Sequence, residues 1–214
     1  MSATKASNNE GDESAAASVK LSAPRSIGRG FRDYQHFSVE ITRSTGELAK
    51  LDRDVLRCGP VVGVLALDPE REEVVLTRQF RLGAYLARAE SETLEIVAGR
   101  IDPGESAIDA ARRECREEIG VDAMRLVPVL ELSPAPAWSD EFMTLFVATV
   151  DARELPARAG AAHEQEDIAV VRYTIDGAVG LLAQKIVHSA PTVIALQWLR
   201  LNRESVLALL EPVS

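Results

Sequence analysis

Apolar residues recur along most of the chain in short runs, and these runs predict strands more often than helices. Six segments after residue 60 are four to nine residues long in their apolar part, rich in β-branched side chains and bounded by charged or turn residues. They are 61–68 (VVGVLALD), 73–80 (EVVLTRQF), 92–99 (ETLEIVAG), 126–133 (LVPVLELS), 142–150 (FMTLFVATV) and 168–175 (IAVVRYTI).

Three other segments have helical periodicity: 105–119, 175–184 and 191–210, the last with Pro191 in its first turn. Strands that look antiparallel, together with a few helices, favour an α/β sandwich over a doubly wound sheet. We therefore predict one α/β domain over residues 59–214.

The N-terminal part has a different pattern. Residues 1–26 carry almost no large apolar side chains and predict a disordered tail. Within 27–58, Phe37, Val39 and Ile41 alternate with polar residues ahead of a turn, which predicts an antiparallel hairpin. A hairpin alone buries too little surface to be stable, so this N-terminal β lobe must pack on something, and a second subunit is one possibility.

Composition narrows the range of partners. The net charge of −9 and the pI near 5.0 argue against a nucleic-acid partner, because nucleic-acid-binding domains usually present a basic face. No apolar run is long enough to predict a membrane span, and the first twenty-odd residues lack the apolar core of a signal peptide. Cys58 and Cys115 form neither a disulfide framework nor a metal-ligand spacing, which favours a reducing, cytoplasmic location.

The predicted helix at 105–119 places carboxylates next to one another. Glu114 and Glu118 are i,i+4 neighbours and Glu117 lies three residues after Glu114, spacings that destabilise an isolated helix by roughly 0.2–0.5 kcal/mol per like-charge pair. One interpretation is a solvated face on which neighbouring arginines reduce the repulsion. The other is a site for a divalent cation, because Mg²⁺ prefers oxygen ligands and assists phosphate chemistry.

The residues around this helix favour the cation site. GRIDPGESAIDAARRECREEIGV (99–121) follows the pattern G-x5-E-x7-R-E-Φ-x-E-E-x-G-Φ, where Φ is apolar. This pattern resembles the Nudix box of hydrolases that cleave nucleoside diphosphates linked to another group. Cys115 is a mild departure at a usually aliphatic position, where a small buried thiol fits.

The resemblance implies a Nudix-type α/β/α sandwich with a mixed sheet, plus the small N-terminal antiparallel β lobe. It also implies Mg²⁺ or Mn²⁺, held by Glu114 and Glu118, with three further candidate ligands: Glu117, Glu166 and the carbonyl of Ala98. Arg113 would orient the glutamates by ion pairing. Glu164 would be the base that deprotonates the attacking water.

Segments outside the box are similar to the ADP-ribose pyrophosphatase branch of this family. They are LEIVAGRIDPGE (94–105), PAWSDEF (136–142) and HEQEDI (163–168), the second with Ala137 where that branch usually has Gly. By this resemblance Arg81 would bind the diphosphate, and Glu141 the ribose or the metal-bound water. Phe31 and Arg53 would contact the adenine or phosphates, and Pro136 marks the specificity loop.

The expected activity is therefore hydrolysis of ADP-ribose to AMP and ribose 5-phosphate by a homodimer. A nucleoside diphosphate sugar other than ADP-ribose, such as GDP-mannose or a UDP-sugar, is the alternative substrate. A nucleotide sensor without turnover is a third reading, but sensors of this kind often lose box glutamates, and every box acid is present here.

Overall fold

The computed structural model describes residues 18–161 and 166–210, which form two compact units. The first unit comprises the described residues of Met1–Cys58 together with Ala135–Asp140, and the second comprises those of Gly59–Pro134 and Glu141–Ser214. The sequence-based division into 27–58 and 59–214 did not include the returning segment 135–140. Local patterns do not reveal such a return, because the contacts that define it join residues about eighty positions apart.

The first unit contains an antiparallel sheet of four strands. They are β1 (Ser18–Leu21), β2 (Arg25–Arg29), β3 (Asp33–Thr42) and β4 (Leu48–Arg57). β3 pairs with β4 along its whole length, while β1 and β2 share its other edge, β1 at residues 39–42 and β2 at 33–36. No described side chain in these strands is buried.

The structure differs from the sequence prediction at residues 18–26, which were expected to be part of a disordered tail. Ser18–Leu21 form an edge strand whose side chains are all exposed. Backbone hydrogen bonds to β3 hold such a strand, and they leave no apolar periodicity in the sequence. Residues 1–17 lie outside the described residues.

The second unit contains eight strands and four helices. The strands are β5 (Pro60–Asp68), β6 (Glu73–Phe80), β7 (Glu92–Glu95), β8 (Val97–Arg100), β9 (Arg125–Leu132), β10 (Phe142–Thr149), β11 (Arg158–Ala159) and β12 (Ile168–Thr174). The helices are α1 (Leu82–Arg88), α2 (Ala107–Ile119), α3 (Ile175–Ala183) and α4 (Ala190–Leu210).

These strands form one mixed sheet in the order β11-β12-β6-β5-β10-β9, in which β5 and β10 are parallel and the other pairs are antiparallel. β5 and β6 pair directly only near their connecting turn; beyond it, β8 pairs with β5 and β7 pairs with β6. The predicted strand at 92–99 is therefore two short strands. They meet at Ile96, whose N–H donates to the Thr192 hydroxyl on α4 (3.0 Å).

Hydrophobic side chains cover both faces of this sheet. Along β5, Leu65 and Leu67 join a cluster with α3 and α4, whereas Val64 and Ala66 join a second cluster with α2. Successive residues of a strand point to opposite faces, so the helices enclose the sheet from both sides. The predicted α/β/α sandwich with a mixed sheet is confirmed.

α4 is the longest helix and carries an irregularity at Asn202 (φ −119°, ψ 18°), whose side-chain amide donates to the carbonyl of Trp198 (2.8 Å). Its N-terminal half packs on the sheet through Ala195, Leu196 and Leu199. Across residues 18–161 and 166–210, no helix has both the length and the apolar character needed to cross a membrane.

Candidate active site

Local sequence signals define both ends of α2. The Ser106 hydroxyl accepts the N–H of Asp109 (3.2 Å) and caps the N-terminus, and Gly120 ends the helix in the left-handed conformation (φ +73°). A side chain at Gly120 would also collide with the Pro156 ring. The helix therefore begins and ends at defined residues, which sets the positions of the glutamates between them.

Arg113 is the centre of an ion-pair cluster on α2. Its guanidinium donates to Glu105 through Nε and Nη2 (both 3.0 Å), and Nη1 donates to Glu114 (2.7 Å) and Glu117 (2.8 Å). Nη2 also donates to the carbonyl of Arg100 at the end of β8 (2.8 Å). One arginine thus links three carboxylates to the strand before the helix and reduces their mutual repulsion.

Two carboxylates of this helix are buried. Glu114 is 8% exposed and Glu118 is 2% exposed. Burial raises the pKa of Glu114 to about 7, with Arg113 opposing the shift and the charges of Glu117 and Glu166 adding to it. Burial, together with the charge of Glu114, raises the pKa of Glu118 well above its usual range.

The backbone of β8 is adjacent to both carboxylates. The N–H of Ala98 donates to Glu118 Oε2 (3.2 Å). A Cβ atom at Gly99 would lie 1.9 Å from Glu114 Oε1, so only glycine leaves room for this carboxylate. Gly99 is the first position of the box pattern, and its missing side chain makes space for Glu114.

A second loop approaches α2 near Glu117. The N–H of Gly160 donates to the carbonyl of Glu117 (2.8 Å), and the N–H of Ala161 donates to Glu166 Oε2 (3.1 Å). The charge of Glu166 raises the pKa of both Glu114 and Glu118, so its carboxylate belongs to the same electrostatic cluster. Glu164, the predicted base, lies outside the described residues.

Cys115 is fully buried on the face of α2 that packs against the core. Burial, with added repulsion from Glu118 and Glu114, raises the pKa of its thiol to about 12. The thiol is therefore protonated at neutral pH and packs as a small apolar group, as the sequence analysis expected.

Arg81, directly after β6, is held by Glu95, a residue of the segment 94–105 to which the sequence pattern assigned no role of its own. Its Nε donates to both carboxylate oxygens of Glu95 (3.2 and 3.1 Å), and Nη2 donates to one of them (2.8 Å). The Thr93 hydroxyl donates to the same carboxylate (2.6 Å). Burial alone would lower the pKa of Arg81, but Glu95, Glu118 and Glu166 raise it, so the guanidinium is cationic.

The other predicted substrate contacts are distributed over both units. Phe31, Arg53 and Pro136 belong to the first unit and Glu141 to the second. Phe31 is 87% exposed, and the Arg32 guanidinium lies 4.9 Å from the centre of its ring. Arg53 is exposed on β4, where it donates to the carbonyl of Asp52 (2.7 Å).

The donor set on α2 fits a divalent cation. Buried carboxylate oxygens are hard ligands, and the raised pKa values of Glu114 and Glu118 arise from burial and from the neighbouring carboxylates, two penalties on ionisation that a cation would offset. Within the described parts of the chain, no three acidic, histidine or cysteine side chains already converge as a complete ligand set. The glutamates are held instead by Arg113 and the Ala98 N–H.

Comparison with known proteins identifies similar chains. The family model described as NUDIX domain matches residues 58–196. ADP-ribose pyrophosphatase from Escherichia coli (strain K12) is 34% identical over 188 residues, covering 87% of this chain and 90% of that protein. GDP-mannose pyrophosphatase from Cronobacter sakazakii is 29% identical over 185 residues, covering 86% and 96%. A crystal structure of an ADP compounds hydrolase aligns with a TM-score of 0.66 and 26% identity, covering 87% and 96%.

Proposed function

Because this chain belongs to the NUDIX family, we propose that it is a divalent-metal-dependent hydrolase that cleaves ADP-ribose to AMP and ribose 5-phosphate. The observation that carries this proposal is the pair of buried carboxylates, Glu114 and Glu118, on a helix whose charges are organised by Arg113. Burying two acids of raised pKa costs free energy of folding, and a bound cation would offset that cost.

Glu114 and Glu118 would hold Mg²⁺, or Mn²⁺, with Glu117, Glu166 and the Ala98 carbonyl as further ligands. The cation would supply charge neutralisation on the diphosphate oxygens. Arg113 keeps the glutamates in place between turnovers through its ion pairs. Arg81, aligned by Glu95, would bind a phosphate oxygen with its cationic guanidinium, and Glu164 would accept the proton of the attacking water.

The choice of substrate rests on the residues outside α2. Phe31 offers an exposed ring for a base, Arg53 a cation on β4 of the same unit, and Pro136 and Glu141 the loop before β10. The similarity to an ADP-ribose pyrophosphatase over most of the chain supports ADP-ribose. The similarity to a GDP-mannose pyrophosphatase makes GDP-mannose the second candidate.

A substrate panel tests the proposal. Purified protein is incubated with Mg²⁺ and, separately, with ADP-ribose, GDP-mannose and a UDP-sugar, and nucleoside monophosphate release is measured. We expect the highest kcat/KM with ADP-ribose. Faster turnover of GDP-mannose would contradict the specificity, and binding without release from any of these compounds would instead favour a nucleotide sensor.

We further propose a cytoplasmic homodimer. Exposed apolar side chains on two parts of the chain support self-association: Phe80, Leu82, Tyr85 and Leu86 around α1, and Val19, Leu21, Ile27 and Leu48 in the first unit. The free cysteines Cys58 and Cys115 fit a reducing compartment. Light scattering after size-exclusion chromatography tests the dimer, and a monomer at micromolar concentration would contradict it.

A further inference from the structure

The segment 135–140 extends the sheet of the first unit beside the end of β4. The N–H of Leu56 donates to the carbonyl of Trp138 (2.8 Å), and the N–H of Asp140 donates to the carbonyl of Leu56 (3.3 Å). Leu56 and Ser139 form a parallel bridge. The loop before β10 is therefore fixed by backbone hydrogen bonds to a strand about eighty residues earlier, and it displays Trp138 with its side chain 55% exposed.

The carboxylate of Asp140 completes this attachment. Its Oδ1 accepts the N–H of Cys58 and its Oδ2 accepts Arg57 Nε–H, both at 2.6 Å. These bonds are short and charge-assisted, and they use both oxygens at once. Cys58 precedes β5 and Asp140 precedes β10, so one side chain joins the chain just before each of these two strands.

Arg57 is itself held in place from within the sheet. Its Nη1 donates to the side-chain oxygen of Gln35 (3.0 Å), whose amide donates to Asp33 (2.7 Å). The Ser26 hydroxyl donates to the other oxygen of Asp33 (2.8 Å). A row of polar side chains thus crosses β2, β3 and β4 and ends at Asp140.

Stability alone does not account for this arrangement. Arg57 and Asp140 are both partly exposed, and exposed ion pairs contribute little to the free energy of folding. Their geometry, in contrast, specifies position, because a two-oxygen contact to a side chain and a backbone N–H permits one arrangement of the loop. The arrangement is better suited to holding the loop than to stabilising the fold.

We propose that Asp140, together with Arg57, is a positioning residue that sets the conformation of the 135–140 segment and thereby the affinity for substrate. The inference rests on the proposed function, in which Pro136 in this segment and Glu141 directly after it contact the substrate. Asp140 touches neither substrate nor metal; it acts through the backbone that carries those two residues. Loss of the contact raises KM and leaves kcat nearly unchanged.

Steady-state kinetics and amide hydrogen exchange test the proposal together. Asp140→Ala is expected to raise KM for the preferred nucleotide sugar by about tenfold with kcat within about twofold. Amides of Leu56, Cys58 and Asp140 should exchange faster in this variant, because their hydrogen bonds depend on the attachment. Asp140→Asn, which keeps an acceptor for the Cys58 N–H, should show a smaller rise in KM.

A double-mutant cycle and a matched control complete the experiment. Arg57→Gln should raise KM by less than Asp140→Ala, and combining the two should add little to Asp140→Ala alone, because they remove one shared contact. The control is Arg43→Gln, which breaks a comparable exposed ion pair with Glu47 (2.9 Å) in the β3–β4 turn. It should leave both KM and exchange near the 135–140 segment unchanged.

Each possible result supports or overturns the inference. Unchanged exchange in Asp140→Ala would overturn the positioning role. Faster exchange with unchanged KM, or a fall in kcat at constant KM, would overturn the link to substrate affinity. If the wild-type protein turned over no member of the substrate panel, the proposed function would fail, and exchange would still support or overturn the positioning of the segment.

Discussion

The helix α2 and the sheet of the first unit both carry many charged side chains, but they differ in burial. On α2, Glu114 and Glu118 are buried against β8 and the surrounding charges are paired with Arg113. In strands β1–β4 no described side chain is buried, and Phe31 in the β2–β3 turn is almost fully exposed. Ion pairs such as Arg43–Glu47 and Lys50–Glu40 lie at exposed positions of that unit.

This difference in burial indicates different roles for α2 and for the first unit. Burying carboxylates costs free energy of folding. In the second unit, two hydrophobic clusters stabilise the sheet and offset that cost. The described strands of the first unit have no buried side chains to stabilise them in this way. Its exposed rings and charges are suited to recognition of a ligand or of another subunit. We therefore expect substitutions on α2 to change catalysis and metal binding, and substitutions on the first unit to change substrate affinity.

The largest effect is expected for Glu118→Gln. The substitution keeps the shape of the side chain but removes a charge that would hold the cation, so kcat should fall on the order of 10³-fold. The free energy of unfolding measured without metal should not decrease, because the raised pKa shows that the buried charge is unfavourable. Glu131→Gln, at an exposed position on β9, is the control and should behave as wild type. An active Glu118→Gln enzyme would remove this residue from the metal site.

Gly99→Ala should weaken metal binding without changing any charge. Its Cβ would lie within about 2 Å of the Glu114 carboxylate, which must then move. We expect the Mn²⁺ dissociation constant, measured by calorimetry, to rise about 10–100-fold, the range found when groups that orient metal ligands are lost. Gly83→Ala, where a Cβ meets no atom within 4 Å, is the matched control. Equal affinity in both variants would show that Glu114 is not held against β8 in solution.

The sequence could predict α2 because the pattern of its box combines helical periodicity, end signals and charge within twenty-three residues. It could not predict the split at Ile96, which depends on a hydrogen bond to Thr192 nearly a hundred residues away. α1 was missed because it has no buried residue and so lacks an amphipathic signal. Glu95 lies in a segment that is similar to the ADP-ribose pyrophosphatase branch, but its pairing with Arg81 depends on how β7 lies against β6.

On the first unit, Phe31→Ala should raise KM and leave folding unaffected. Stacking of a base on an aromatic ring contributes about 1–3 kcal/mol, so a rise in KM of about tenfold is expected. The free energy of unfolding should change by less than about 0.5 kcal/mol, because the ring is exposed. Leu201→Ala removes an apolar side chain of similar exposure on α4 and should leave KM unchanged. A loss of stability without a change in KM would assign Phe31 to packing.

The smallest expected effect is a pH-dependent change in melting temperature on adding Mg²⁺. Without metal, the pKa of Glu114 is raised from 4.5 to about 7 in the folded state, so its contribution to stability is fully present below about pH 4.5 and is lost as the pH rises through about 7. A cation binds the ionised form and competes with the proton, so its stabilising effect should increase over the same range. At one fixed Mg²⁺ concentration, ten times the dissociation constant measured at pH 8, the melting temperature should rise by about 3 °C at pH 8 and by less at pH 5.5, where binding is weaker.

Differential scanning fluorimetry at the two pH values measures this shift, with Ca²⁺ and Na⁺ at matched ionic strength to separate specific binding from screening. Glu114→Gln is the informative control, because it removes the titrating group while Glu118 and Arg113 remain. In that variant the rise in melting temperature on adding Mg²⁺ should be smaller at pH 8 and should depend less on pH. The same pH-dependent shift in wild type and Glu114→Gln would place the cation elsewhere. The acids of α2 would then be ordinary ion-paired side chains, like those on the surface of the first unit.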